Sequence, residues 1–274
     1  MSKRIAIVTG ASSGIGRATA LALAGKGFQV GLGYNSNVDG ARRAVAEVEA
    51  LGGQAMAFRM DLTEPVAAAS AVERAILELG GVDVFVNNAG VNRRAAFLEE
   101  TLEDWQRILT INTTGPFLCA QVAARHMVAQ GRGGRLINVT SVHEMVPILG
   151  GASYCVSKGG LGLLTRVMAL ELARYGITVN SVSPGETATP MNGVPEGLDA
   201  QELSRPAIPL GRPGRSREVA ALIAHLSEPD AAYITGVSIS VDGGLMLMSA
   251  IANQEYASHR PSPLTQDTQE RSHS

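Results

Sequence analysis

Ile5-Ala6-Ile7-Val8-Thr9-Gly10-Ala11-Ser12-Ser13-Gly14-Ile15-Gly16 is the stretch on which the fold turns. Its first five residues form a short apolar run, the pattern of a buried strand. Glycines spaced G-x-x-x-G-x-G come next, and an Ala/Leu-rich run from Arg17 to Lys26 then reads as a helix. Strand, glycine loop and helix form the context in which a glycine pattern points to a phosphate site. The glycines permit tight turning and close backbone approach, and the helix N-terminus offers unpaired N–H groups and a positive dipole. The spacing is not the more familiar G-x-G-x-x-G, and a turn that merely lets strand and helix pack is the plainer alternative.

Outward from this unit, strand-like apolar runs recur at 29–34, 54–59, 82–87, 135–140, 178–183 and 237–241. Helical stretches at 39–51, 64–79, 101–127, 153–175 and 216–226 alternate with them, and they end at turn residues such as Gly52-Gly53, Gly80-Gly81 and 131–134. Repeated β-α units of mostly apolar strands predict an α/β fold: one doubly wound parallel sheet of about seven strands with helices on both faces. No linker or composition break divides residues 1–248, which are expected to form one domain. Residues 249–274 are polar, with almost no apolar periodicity after Ser258, and are expected to be a flexible tail or one packed on a neighbouring subunit.

Composition narrows the function classes. The chain has 274 residues, 45% hydrophobic and 18% charged, so a sizeable core is expected. A net charge of −2 without a basic block, together with 4% aromatics, argues against nucleic acid and anionic membrane as partners. The two cysteines, Cys119 and Cys155, form neither a disulfide framework nor a zinc spacing and read as buried thiols. Met1-Ser2-Lys3-Arg4 leads straight into a strand, and no run approaches the ~18 apolar residues of a membrane span. A reducing, cytoplasmic setting is the expectation.

The chemistry-bearing residues lie further along. Tyr154 and Lys158 are four apart, so a helix puts both on one face, with Ser141 thirteen residues upstream. A cation beside a phenol is expected to lower its pKa, as proton transfer to or from an alcohol or ketone requires. A serine hydroxyl can hydrogen-bond a substrate oxygen on which charge builds.

Thr9-Gly10-Ala11-Ser12-Ser13-Gly14-Ile15-Gly16, Asn87-Asn88-Ala89-Gly90, Ser141, Tyr154-Cys155-Val156-Ser157-Lys158 and Pro184-Gly185 occur in this order. Together they resemble the short-chain dehydrogenase/reductase family over residues 3 to about 245. The nearest branch holds 3-oxoacyl-carrier-protein reductases and glucose 1-dehydrogenases. Ser141-Val142-His143-Glu144 is similar to the glucose dehydrogenase form, and Arg212-Pro213-Gly214 and Val241-Asp242-Gly243-Gly244 to the shared carboxy-terminal pattern.

The resemblance implies a Rossmann-type fold and hydride transfer between a nicotinamide and a carbonyl/secondary-alcohol pair. It implies Tyr154 as proton donor or acceptor, Lys158 tuning it and binding the nicotinamide ribose, and Ser141 polarising the carbonyl. Asn112 would interrupt a long helix and hold a water feeding protons toward the lysine; a mid-helix amide bonded to its own backbone is the alternative. No metal is needed, because hydride chemistry belongs to the cofactor.

Expected cofactor contacts are Gly10, Ser12, Ser13, Gly14, Ile15 and Gly16 of the glycine loop, Tyr34, Asn35 and Ser36 after the second strand, and Asp61 and Leu62 near the adenine. Asn88, Ala89 and Gly90, then Tyr154 and Lys158, and finally Pro184, Gly185 and Thr187 near the nicotinamide complete the set. Asp61 or Thr63 could instead cap the next helix, and Asn87 and Asn88 could be structural bridges. His143 and Glu144 are expected to line the substrate pocket beside Ser141 and Tyr154, with His143 packed or touching substrate and no acid–base group. Residues 91–97, 143–151 and a Gly/Pro-bearing, lid-like stretch at 186–209 are expected to shape that pocket.

The second strand ends in Tyr34-Asn35-Ser36-Asn37, without the acid that would repel a 2′-phosphate. NADP(H) is therefore expected over NAD(H), which remains possible; the arginine that many NADP-using relatives carry is Asn35 here, and Arg42 and Arg43 read as solvated helix charges. The expected substrate is a ketone, diketone or 3-oxoacyl compound, with a sugar as the alternative. A non-catalytic dinucleotide-binding regulator is the rival class, against which the intact Ser141, Tyr154, Lys158 and Asn112 argue. By resemblance the chain is expected to be a homotetramer pairing the 101–127 and 153–175 helices.

Overall fold

The computed structural model describes residues 4–195 and 197–248. The expectation for the 249–274 tail lies outside them.

Seven strands form one parallel sheet: β1 (Arg4–Thr9), β2 (Phe28–Tyr34), β3 (Ala55–Arg59), β4 (Val84–Asn87), β5 (Gly134–Val139), β6 (Ile177–Pro184) and β9 (Ser238–Val241), in the spatial order β3-β2-β1-β4-β5-β6-β9. Helices α1 (Gly14–Gly25), α2 (Val38–Ala50), α3 (Pro65–Leu79), α4 (Leu102–Leu109), α5 (Gly115–Gln130), α6 (Ala152–Leu172) and α7 (Ser216–Leu226) connect them. A short parallel pair, β7 (Thr187–Ala188) and β8 (Gly214–Arg215), lies outside the main sheet.

Strand β1 shows why the sheet is buried on both faces. Ile5 and Ile7 enter one core with Phe85, Leu136, Val179 and the inner sides of α3 and α5, while Ala6 and Val8 enter the other with Val30, Leu32, Val86 and α1 and α7. Side chains alternate across a strand, so a continuous apolar run supplies both layers at once. The strands stay parallel, but the strand order switches sides between β1 and β4: the chain steps from β1 to β2 and β3 on one side and crosses to β4 on the other, and open α/β sheets bind ligands in the crevice above such a point.

The expected helix at 101–127 is not continuous. Between α4 and α5, residues Thr110–Thr114 form a π-helical turn. The run Thr-Ile-Asn-Thr-Thr is mostly β-branched and weak in helix propensity, so widening costs little there, and such turns concentrate at functional sites. The expected helix at 153–175 ends in a 3₁₀ turn, Ala173–Tyr175. No helix among the described residues is long and apolar enough to cross a membrane.

Candidate active site

A cavity of about 980 Å³ opens along the carboxyl ends of the strands. Its floor at one end is the glycine loop: Gly10, Ser12, Ser13, Gly14, Ile15 and Gly16 all line it. Gly10 (φ 66°) and Gly14 (φ 53°) hold left-handed backbone that side-chain-bearing residues rarely adopt. A Cβ on Gly16 would sit 2.2 Å from the Gly10 carbonyl oxygen, so the loop closes only without one. Ser13 stands at the N-cap of α1 without a side-chain capping bond, and no acid occupies the first turn. Open N–H groups, a helix dipole and no repelling charge fit a pyrophosphate.

Tyr34, Asn35 and Ser36 line the wall beside the end of β2, and Asp61 and Leu62 follow β3. The Asp61 carboxylate accepts from the Thr63 backbone N–H at 2.9 Å and hydroxyl at 2.8 Å. These bonds, joined by one from Asn35, hold its carboxyl below the usual range. Neither Asp61 nor Thr63 caps α3: Glu64 occupies that position and makes no side-chain capping bond.

Asn88, Ala89 and Gly90 face the cavity at the end of β4. Thr9 Oγ1 accepts from both the Asn88 and Ala89 N–H groups at 3.0 Å, and Asn88 Nδ2 donates to the Thr9 carbonyl at 2.9 Å. Asn87 is a bridge, donating to the Pro116 carbonyl (3.1 Å) and to Asn138 Oδ1 (3.0 Å). Pro184, Gly185 and Thr187 form the far wall, and Thr187 Oγ1 donates to the Gly185 carbonyl at 3.2 Å.

Ser141, Tyr154 and Lys158 meet where these walls converge. Ser141 follows β5 in extended backbone, and its Oγ accepts from the His143 N–H at 3.2 Å. Tyr154 lies in the first turn of α6, hydrogen-bonded to Ser141. Lys158, one turn on, donates from Nζ to the Val139 carbonyl at 2.9 Å, and its amine stands 5.9 Å from the Tyr154 ring centre. The expectation that Lys158 lowers the phenol's pKa is corrected here. Burial pushes the Tyr154 phenol up, with the Ser141 bond and the Arg94 charge pulling the other way, and the lysine is turned to a backbone carbonyl. Burial also pulls the Lys158 ammonium down to about 8, opposed by the negative charge of Glu144.

Asn112 lies in the π turn, fully buried behind the cavity wall. Its Oδ1 accepts from the Val91 N–H and its Nδ2 donates to the Val91 carbonyl, both at 2.9 Å, and to Ser157 Oγ at 3.1 Å. It bonds no backbone of its own helix; it fixes the loop after β4 against α6, beside Gly90 and Lys158. His143 lines the cavity with its ring edge-on to Tyr154, 6.2 Å between centres, and its Nδ1 is paired with the Val146 carbonyl at 2.9 Å.

Glu144 does not line the cavity, contrary to expectation. It belongs to a 3₁₀ turn, Val142–Glu144, which swings its carboxylate out of the cavity and against α6 at Gly162, where Oε1 accepts from Ser238 Oγ. Adjacent residues in so tight a turn point apart, so His143 faces in and Glu144 away.

The apolar end of the cavity comes from Val146, Pro147, Ile148, Met191 and Met246. Arg107 of α4 and Ile111 of the π turn, which also line it, carried no sequence signal.

A doubly wound sheet with a glycine-floored crevice and a Ser/Tyr/Lys cluster defines a class of oxidoreductases. Residues 10–246 match the family model described as Enoyl-(Acyl carrier protein) reductase. The chain belongs to the short-chain dehydrogenase/reductase family.

Among solved structures it is similar to acetoin dehydrogenase from Enterobacter cloacae, with a TM-score of 0.86 and 47% identity, covering 91% of this chain and 98% of that one. Among curated proteins it is 45% identical to the uncharacterized oxidoreductase YohF of Escherichia coli (strain K12), over 92% of this chain and 99% of that protein. It is 41% identical to the 3-oxoacyl-[acyl-carrier-protein] reductase of Synechocystis sp. (strain ATCC 27184 / PCC 6803 / Kazusa), over 90% and 98%.

Proposed function

We propose that this chain reduces a small ketone or 1,2-diketone to the secondary alcohol, or runs the reverse oxidation, with NADP(H) preferred and NAD(H) accepted. The observation that carries the reading is the placement of Ser141, Tyr154 and Lys158 on one cavity wall, continuous with the glycine loop.

A bound nicotinamide supplies or accepts the hydride. Tyr154, kept protonated by burial, hands its phenolic proton to the carbonyl oxygen in reduction and takes it back in oxidation. Ser141 hydrogen-bonds the same oxygen as negative charge develops there. The Lys158 ammonium offsets the phenolate that remains. Asn112 holds Val91 and the wall beside Gly90 in register.

Support for a small substrate comes from the apolar end of the cavity and from the acetoin dehydrogenase named above, whose substrate is a small hydroxyketone. NADP(H) is favoured by the neutral donors of 34–37 beside the N-terminus of α2, with no carboxylate at the end of β2. Arg42 takes no part in that wall; it pairs with Asp39 at 3.7 Å on the exposed side of α2.

We further propose a cytoplasmic homotetramer, since exposed apolar side chains such as Val156, Leu163 and Leu170 stud α6 and Phe117 and Val128 stud α5. Two unpaired cysteines suit a reducing compartment.

The test is a panel of diketones, hydroxyketones, 3-oxoacyl thioesters and aldoses assayed with both cofactors, for the wild type and Tyr154→Phe. A loss of about 10²- to 10⁴-fold in kcat is expected for the variant. Full activity in Tyr154→Phe sinks the mechanism, and a higher kcat/KM with NAD(H) sinks the cofactor preference.

A further inference from the structure

The carboxylate of Glu144 is a partly buried charge that the proposed chemistry leaves unused. Its Oε1 accepts from Ser238 Oγ at the start of β9, while its Oε2 is buried without a hydrogen-bond partner among the described residues. A Cβ built on Gly162 would lie 2.5 Å from that Oε2, and one on Gly159 3.6 Å from the Glu144 carbonyl oxygen. The carboxylate is therefore seated directly on the α6 backbone, in a notch that exists because residue 162 has no side chain. Gly162 is one helical turn beyond Lys158, on the same face.

A half-desolvated carboxylate is costly to bury unless a positive charge compensates it. The cation of this interior is Lys158, whose hydrogen bond among the described residues goes to the neutral Val139 carbonyl. The remaining titratable or charged groups about the lysine and its phenol are few. Tyr154 and Cys155 stand on its own helix, His143 on the serine turn, and Arg94 on the loop after β4; Asn112, from the π turn, is uncharged. Glu144 is the one carboxylate among them, and its charge acts on Lys158.

We propose that Glu144 is a positioning residue for Lys158, its carboxylate acting from its seat on Gly162 to keep the buried amine charged and the helix turn that carries it in place. This rests on the reading of Lys158 as a working group of the site. The direction of the effect on the lysine agrees, since Glu144 opposes the discharge that burial imposes on it. The notch also explains why Gly162, which helix propensity disfavours, sits inside α6.

The test titrates Lys158 directly. The chain has three lysines, Lys3, Lys26 and Lys158, so the rate of amine acetylation at each can be followed by peptide mass spectrometry as a function of pH. Exposed Lys26 serves as the internal reference.

In the full-length protein, Glu144→Gln keeps the volume and an acceptor for Ser238 but removes the charge. Lys158 is expected to lose its proton at lower pH, by on the order of half a unit to one unit, which raises its acetylation at pH 7 roughly three- to fivefold with Lys26 unchanged. The alkaline limb of ketone reduction moves down by the same interval. Should Glu144→Gln fail to fold, Gly162→Ala, whose methyl group displaces the carboxylate, is expected to shift Lys158 in the same direction.

An unmoved Lys158 titration in the folded variant overturns the proposal. The labelling needs neither substrate nor cofactor. A shifted titration with an active Tyr154→Phe therefore rejects the catalytic reading alone, and an unshifted one with an inactive Tyr154→Phe rejects this inference alone.

Discussion

Lys158 sits in a site that penalises the very charge its proposed role requires. Burial brings its ammonium from the ordinary 10.5 to about 8, so the charged form prevails below about 8 and disappears as pH rises through that value. The Tyr154 phenol, pushed upward by the same burial, stays protonated across this interval. The kcat/KM for reduction reports the free protein, so it is expected to decline above about pH 8, approaching tenfold per unit. A profile flat from about pH 7 to 9.5 would contradict this role for the lysine. The pairing of Tyr154 with Lys158 was legible in the sequence because an i, i+4 spacing is a local property. The direction in which the phenol's pKa moves was not, because it follows from how deeply the surrounding elements enclose it.

At the scale of elements, the glycine loop and the alternation of strand and helix could be read from short-range pattern. Elements whose shape depends on neighbours could not. Residues 101–127 look continuous in sequence, yet the chain widens at Thr110–Thr114 because Asn112 is drawn to both backbone groups of Val91. The side on which Glu144 falls is decided by a single 3₁₀ turn after Ser141.

The stretch after β6 looks loose by composition but is anchored. Glu186 is paired with Arg205 at 2.5 Å and Asp199 with Arg215 at 2.9 Å, and β7 is paired with β8. Glu218 at the start of α7 completes the anchor. It accepts from Arg212 at 2.7 and 3.0 Å and from the Arg215 N–H at 2.7 Å, which holds its carboxyl at about 2 against an ordinary 4.5. A depressed carboxyl pKa stabilises the fold above its ordinary value, and the contribution fades as pH falls from 4.5 toward about 2. Glu218→Gln is expected to lower Tm by about 2–4 °C at neutral pH, the exposed setting keeping the effect small. The difference from wild type should close during acid titration. A gap independent of pH would point to packing alone.

For the whole molecule, the proposed tetramer gives α5 and α6 a second duty. Leu170 is 82% exposed and Leu163 62% exposed on the helix whose other face carries Tyr154 and Lys158. Light scattering is expected to give four times the 28.5 kDa chain mass. Leu170→Glu should lower that mass and, through α6, weaken catalysis. A wild-type monomer with full activity would remove the association from the account. That both faces of the sheet are covered was readable in the unbroken apolar strands. Which helix faces remain uncovered was not, because apolar residues on α5 and α6 look alike in sequence whether they meet the sheet or another subunit.

The hydroxyl of Thr9 carries a larger responsibility than its size suggests. One oxygen receives two amide hydrogens from across the sheet, at the very seam where β1 and β4 part to admit a ligand. It works as a rivet at the throat of the crevice, and a valine of equal bulk in its place would leave both amides orphaned and the throat free to gape. The breadth of the nucleotide slot thus leans on an atom belonging to neither loop that flanks it, beside the Asn88 amide that spans the same seam, and any redesign for a bulkier or slimmer coenzyme should begin at that rivet.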